Sequence, residues 1–413
     1  MRYKVLSNKN YLCYTIGQAF SKVGDGLYTI AIMWLLLKIS GNKGLAVGGA
    51  FGIFAIGDII SGFLSGPIVD HFNKKKILII TDFLRFLIVF ALYYLSVRGV
   101  LNVFKVMMIL FILSLLSPLF SAGEFTLIPH IVKKDELLEA NGFISGLRGL
   151  INILAPALGG IIVAGFGYNV CFLIDALSFL ISCIGIMFIK FESTNLPYRN
   201  GEKIRLVFKS IPDGFKFIIA SHFLLTLCIY VIFINFIQGP VDPLIPILSN
   251  KYGFGPKGYG LIMSTFSLGA LSFNFLSGLV PKRIPTGKLI AYGLLIMGLS
   301  LTFYGISRNL IFTVFLSFLM GFGIALTNTP LSALLQQTVP SNKLGVVSSF
   351  IYTFAGVGQP ISTSLGGLLS DKIPLSIIFF VIGLLTLISA FVGFGLPAFK
   401  EEPPKARESS FVE

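Results

Sequence analysis

The chain is short of acid. Asp and Glu supply 18 of its 413 residues, and none falls between Asp242 and Asp371. Charged residues of both signs make up 12% of the sequence, about half the roughly 25% of a soluble domain, which excludes a water-facing globular surface. Four cysteines, Cys13, Cys171, Cys183 and Cys228, all lie in apolar runs without metal-ligand spacing. They are expected to be small buried hydrophobes rather than a metal centre. His71, His130 and His222 stand at the edges of apolar runs, and no H-E-x-x-H, G-x-S-x-G or GxxxxGK[ST] occurs. No metal, no cofactor and no direct use of ATP are therefore expected, and a membrane enzyme is disfavoured. The N-terminal stretch lacks the compact apolar core and cleavage site of a signal peptide, so the first apolar segment is expected to be retained.

What fills the chain instead is apolar: 55% hydrophobic residues, with 41 Phe and 44 Gly. A bilayer core needs about 20 mostly apolar residues per helix. Twelve such spans can be read, at 11–37, 45–69, 77–97, 103–127, 142–166, 169–189, 217–241, 258–280, 288–306, 310–333, 345–369 and 376–397. The expected class is an all-α integral membrane protein of twelve transmembrane helices. Its longest polar stretch, 190–216, separates six-helix halves at 1–189 and 217–397, and a tail follows at 398–413.

A net charge of +14 would fit nucleic acid if the basic residues shared one solvated face. They sit instead in short loops between apolar runs. One alternating set of loops, together with both termini and the central stretch, holds 21 of the 32 Lys and Arg. The other set holds 8, and Lys22, Arg85 and Arg148 lie within spans. Basic loops stay on the cytoplasmic side, beside anionic lipid. Both termini and 190–216 are therefore expected in the cytoplasm, with membrane lipid rather than nucleic acid as the partner.

The halves look like copies. Val132 and Val339, Leu137 and Leu344, and Gly159-Gly160 and Gly366-Gly367 all share an offset of 207 residues, and SGPIVDHFNKKKIL from Ser65 has a faded counterpart in SGLVPKRIPTGKLI from Ser277. A duplicated six-helix unit with a substrate path between its copies is a transporter architecture.

The loop between spans two and three resembles the signature G-x-L-a-D-r-x-G-r-k of the major facilitator superfamily. Gly66, Asp70 and Lys75 match it, Ile68, Val69 and Lys74 are conservative, and His71 and Asn73 depart. In that family the aspartate and the basic residues form an interhelical charge network that holds one conformation and breaks during transport. The resemblance makes Gly66, Asp70 and Lys75 gating residues, joined by Asp58 on the helical row Asp58, Gly62, Gly66. A histidine in place of arginine weakens such a network, being mostly neutral above about pH 6.5. Span five carries Gly142, Pro156, Gly159 and Gly160 at positions of the G-x8-G-x3-G-P-x2-G-G motif of the superfamily's drug–proton antiporters. Ile151 and Ala155 stand where that motif has glycine. Small residues permit close helix packing and proline a bend, which suits a tight seam between the halves.

FSKVGDGLYTIAIMWLL in span one, LIPHIVKKDELLEANGF before span five and LLQQTVPSNKLGVVSSF before span eleven resemble the macrolide-efflux-type branch of those antiporters. The resemblance covers nearly the whole chain. It implies a monomeric, multi-pass protein of the bacterial cytoplasmic membrane that exports an amphipathic, drug-like small molecule in exchange for protons. Span four lacks the arginine that many proton antiporters carry, which leaves the relay itself open. An importer, a siderophore exporter or a lysolipid flippase on the same scaffold, and a receptor or scaffold without transport, also remain open.

Ionisable residues within spans cost several kcal/mol unless they face a cavity or a partner, so they are the functional candidates. Asp25 lies roughly 20 Å along span one at ~1.5 Å rise per residue, with Lys22 on the same face. Gly24 and Gly26 leave room beside it. Asp25 can carry the coupling proton as access switches, or form a permanent ion pair with Lys22. Arg148 is expected to neutralise Asp25 or Glu124, or to bind an anionic group. Asp82 and Arg85 read as a structural i, i+3 pair, and Asp175 as packing. The second half offers amides and aromatics instead: Asn274, Asn328, Gln336, Gln359, Phe350 and Tyr352 are the expected walls of the substrate cavity.

Overall fold

A computed structural model of the chain describes residues 4–133, 136–189, 218–280, 284–339, 351 and 356–395, apart from the side chains of Pro67, Asp70, His71, His222 and Gln337. Thirteen α-helices occur among the described residues, and no strand. They are α1 (Lys9–Ser40), α2 (Gly44–His71), α3 (Lys74–Val97), α4 (Val103–Ile131), α5 (Leu137–Phe166), α6 (Tyr168–Met187), α7 (His222–Gln238), α8 (Val241–Lys251), α9 (Gly255–Leu276), α10 (Thr286–Tyr304), α11 (Leu310–Thr338), α12 (Gln359–Ser370) and α13 (Leu375–Gly395). Eleven stretches among the described residues are long and apolar enough to cross a membrane, with α7 and α8 counting as one. Helices are the only spanning form open to such runs, because each backbone polar group then finds its partner within the segment.

Local chemistry sets the ends. Asn8 precedes α1 and its side chain accepts from the Asn10 and Tyr11 amides, while Gly41 at φ +65° closes the helix with its N–H on the Leu37 and Lys38 carbonyls. The left-handed conformation there is one that glycine adopts without strain. With both caps in place α1 runs past the 11–37 read from hydropathy. The span expected at 217–241 is likewise longer than its hydropathy: it breaks after Gln238 and resumes as α8, so Lys251 ends a helix instead of sitting in a loop. Pro240 has no N–H to donate at the break, and Pro243 falls in the first turn of α8, where the missing N–H costs nothing. The span expected at 345–369 is described only at 351 and from 356 onward; 190–216 and 398–413 lie outside the described residues.

The offset of 207 residues recurs in the elements themselves. Val103–Ile131 becomes Leu310–Thr338, Tyr168 and Leu375 open α6 and α13, and Val97 and Tyr304 close α3 and α10. Asn102 caps α4 by accepting from the Lys105 amide, and Asn309 caps α11 by accepting from those of Ile311 and Phe312. Val132 and Val339 end these helices in the same way, donating to Ile128 and Leu335.

The chain divides into two compact units. One holds α1–α6 with Pro243–Ser264; the other holds the described residues up to Asp242 after α6, and those from Thr265 onward. In the first, Tyr11, Tyr14, Leu78, Phe120, Leu127 and Ile144 share a buried core. In the second, Leu227, Tyr230, Ile290, Leu294 and Leu334 do so.

Candidate functional site

One stripe of α1 carries hydrogen-bonding side chains at helical spacing, and each reaches a different neighbour. Tyr11 donates to the Ala140 carbonyl of α5 at 2.8 Å. Tyr14, one turn on, donates to Glu124 Oε1 of α4. Gln18 Nε2 donates to Ser182 Oγ of α6 at 3.0 Å. Residues three or four apart share a helix face, so this stripe ties α1 to the polar interior of the unit.

Glu124 is the centre of the first charge cluster. The Arg148 guanidinium of α5 pairs with the same Oε1 that Tyr14 reaches. The glutamate side chain is 9% exposed and that of Arg148 39%. Of the two partners the sequence left open for Arg148, the structure brings in Glu124. A carboxylate this buried requires its cation and its hydroxyl, since charges out of water are tolerated only when paired and hydrogen-bonded.

The second cluster is Lys22–Asp25, with Nζ to Oδ2 at 2.7 Å and side chains 33% and 38% exposed. This pair is open on one side rather than sealed. The glycines flanking Asp25 do not leave the room expected beside it. A Cβ on Gly24 would stand 2.5 Å from Asp175 Oδ1, and one on Gly26 would stand 2.5 Å from Ala155 Cβ. Both glycines are sites of close helix approach, to α6 and α5.

Asp175, read as packing from the sequence, is 1% exposed. Its carboxylate lies against the α1 backbone at Gly24, with Ser178 Oγ at 3.5 Å. Among the described residues it has no ion-pair partner. Asp82 and Arg85 form the expected i, i+3 pair at 3.6 Å, both buried. Ser182 donates to Asp82 Oδ2 at 2.6 Å, and the guanidinium lies 4.8 Å and 5.5 Å from the Phe120 and Phe179 ring centroids. Two aromatic rings within cation–π range and the paired carboxylate hold this arginine in place.

The gating candidates divide. Lys75 Nζ donates to the Met187 and Ile189 carbonyls at 2.9 and 2.7 Å, at the C-terminal end of α6, where a helix favours positive charge. Asp58 is exposed and has no ion pair among the described residues. A Cβ on Gly66 would have no neighbour within 4 Å among the described residues. The Asp70 side chain lies outside the described residues.

Of the span-five motif, Gly142 also has no such neighbour among the described residues. Gly159 packs on Leu27 and Ile30 of α1. Gly160 meets α9 backbone to backbone: a Cβ there would stand 2.5 Å from the Pro256 carbonyl oxygen, and one on Gly260 would strike the Pro156 carbonyl oxygen in return. Nearby in the chain, Asn250 Nδ2 of α8 donates to Asn42 Oδ1 in the turn after α1, at 2.8 Å. The expected close packing is carried by Pro156, Gly159 and Gly160, and its partners are α1 and α9.

In the second unit, Asn328 lines a cavity among α7, α10 and α11. Asn274 accepts from Thr329 Oγ1 at 3.0 Å, Gln336 is exposed and Gln359 opens α12. Phe350 and Tyr352 lie outside the described residues. Sequence reasoning missed Tyr14, Gln18 and Ser182, and it missed Asn235 and Gln238 beside Asn328. The α1 residues had a signal, a polar row at i, i+3 and i+4 spacing in an apolar helix; Ser182 had none.

A family model described as transmembrane secretion effector matches residues 3–411. YfiS, an MFS-type transporter of Bacillus subtilis (strain 168), is 25% identical over 395 residues, covering 94% of this chain and 93% of its own. Macrolide efflux protein A of Streptococcus pyogenes is 24% identical over 393 residues, covering 92% and 94%. The crystal structure of the nucleoside transporter NupG superposes with a TM-score of 0.75 at 13% identity, over 95% of this chain and 99% of that one; this is a likeness of fold.

Proposed function

The chain belongs to the transmembrane secretion effector family of the major facilitator superfamily, and on that premise we propose that it exports an amphipathic, drug-like small molecule in exchange for protons. The cycle is alternating access, run by a multi-pass protein of the bacterial cytoplasmic membrane with both termini in the cytoplasm. The streptococcal macrolide efflux protein supports the direction and the substrate class.

One observation carries the coupling: two carboxylates reached from α1 differ in access. Glu124 is held by Arg148 and Tyr14 in a nearly closed setting, whereas Asp25 shares an open one with Lys22. Asp25 exchanges the proton, and Lys22 takes the ion pair when the proton leaves. The Glu124–Arg148 pair holds α4, α5 and α1 in register while this happens. Asp58, Asp70 and Lys75 gate the cytoplasmic side, and the Gly160–Gly260 crossing keeps α5 packed on the start of α9.

Everted membrane vesicles carrying the protein test this reading. A tritiated macrolide should accumulate when a proton gradient is imposed, and Asp25→Asn should abolish that accumulation while leaving macrolide binding in place. A stable Asp25→Asn variant that still accumulates the macrolide with the gradient removes Asp25 from the coupling role. Accumulation in the opposite orientation only would make the protein an importer.

A further inference from the structure

The second unit holds a cavity of about 80 Å³ among α7, α10 and α11. Leu227, Val231, Leu294 and Leu331 give it apolar walls, with Tyr230, Asn235, Gln238, Thr327 and Asn328 as its polar groups. Two of these spend their proton inside the protein: Tyr230 donates to the Ser389 carbonyl at 2.6 Å, and Thr327 to the Gly323 carbonyl at 3.0 Å. Asn235 Nδ2 donates to the Val231 carbonyl at 2.9 Å. A carbonyl only accepts, so the amide nitrogen must face it and Oδ1 is turned away. Gln238 Nε2 lies 4.0 Å from Met297 Sδ, which likewise leaves Oε1 open. The Asn328 amide makes no side-chain hydrogen bond among the described residues.

The groups left over are three amide oxygens and the remaining amide N–H bonds, so together they call for a group that both donates and accepts. An ammonium ion is a poor candidate, because among the described residues no carboxylate lines the cavity and a cation there would give up its hydration without a counter-charge. A hydroxyl meets the demand without charge. The volume is below the roughly 300–1,000 Å³ of a drug-sized site and near that of about two or three water molecules. It takes one polar edge of a molecule whose apolar remainder lies outside.

We infer that this cavity is a subsite for the uncharged, hydroxyl-bearing edge of the exported amphiphile, with Asn235 and Asn328 as its hydrogen-bonding residues and Gln238 beside them. The assignment rests on the export reading above. It adds the chemical group that is recognised and two residues that set the preference.

The test uses full-length protein in lipid nanodiscs and three radiolabelled probes on one aryl-alkyl frame, ending in a primary alcohol, its methyl ether or a primary ammonium. Wild-type protein should bind the alcohol about tenfold more tightly than the ether, the worth of one hydrogen bond to a preformed acceptor. Asn235→Leu and Asn328→Leu keep the side-chain volume and should bring the alcohol down to the ether without moving the ether. Asn328→Asp should make the ammonium probe the preferred one. Equal binding of alcohol and ether by wild type, survival of the preference in both leucine variants, or no gain for the ammonium in Asn328→Asp overturns the subsite. Absence of binding by all three probes overturns it alone if the vesicle export persists, and takes the export reading with it if export is absent too.

Discussion

Removing the Arg148 guanidinium isolates Glu124. In Arg148→Met the apolar stem is kept, the charge is lost, and a carboxylate 9% exposed retains, among the described residues, the Tyr14 hydroxyl alone. Breaking a buried pair from one side costs roughly 3–5 kcal/mol. Arg148 is 39% exposed, so solvent offsets part of the loss and the lower end, about 3 kcal/mol, is expected. Neutralising the orphan repairs most of it: Glu124→Gln still accepts from Tyr14, and the double variant should recover about 2 kcal/mol relative to the sum of the single changes. The protein supplies its own reporter, since Cys171, Cys183 and Cys228 are buried free thiols that a thiol-reactive dye reaches only on unfolding. In detergent, Arg148→Met should unfold on the order of 5 °C below wild type, with the double variant between them. Arg148→Met as stable as wild type, or a double variant showing no recovery, would refute the pairing as the support of α4 and α5.

Gly160→Ala and Gly260→Ala each force a methyl into the opposing backbone, at about 1–3 kcal/mol. Once the helices part for one methyl, the second costs less, so the pair should be sub-additive in the same dye assay; full additivity would mean that the two glycines do not oppose each other. Gly24→Ala should destabilise by a similar 1–3 kcal/mol, because its methyl meets Asp175 and Ser178, and Ser178→Ala should recover part of the loss; a neutral Gly24→Ala would restore the idea of free space beside Asp25. Reporters fused after Glu413 and inserted near Asn200 should both be cytoplasmic, and an external signal from either would overturn the orientation read from the basic loops.

The helices were legible because hydropathy is local. The spans read at 103–127 and 310–333 start where Asn102 and Asn309 cap the helices in the structure, and the 207-residue repeat shows in both. What the sequence could not give was the partner of each charge. Arg148 had two carboxylates open to it, and only the packing of α4 against α5 chose Glu124. Gly24 and Gly26 were misread for the same reason: a glycine in a chain looks like space, whereas here each is filled by another helix. Asp175 looked like packing from its place near a helix end, and its isolation emerges only when every nearby cation is seen to be engaged elsewhere. The amide cavity joins residues of α7 and α11 about ninety positions apart, a distance that no spacing motif spans.

Exchange of substrate for protons is the central claim, and it is read most directly in sealed proteoliposomes holding the purified protein and a pH-sensitive dye. With no ion gradient imposed, an inward macrolide gradient across the membrane should drive protons out of the lumen through wild-type protein, and the lumen should turn alkaline at a rate that follows the macrolide concentration. Asp25→Asn liposomes should take up the macrolide with no pH change. A wild-type signal of the opposite sign, or macrolide uptake with the lumenal pH unmoved, would contradict proton antiport.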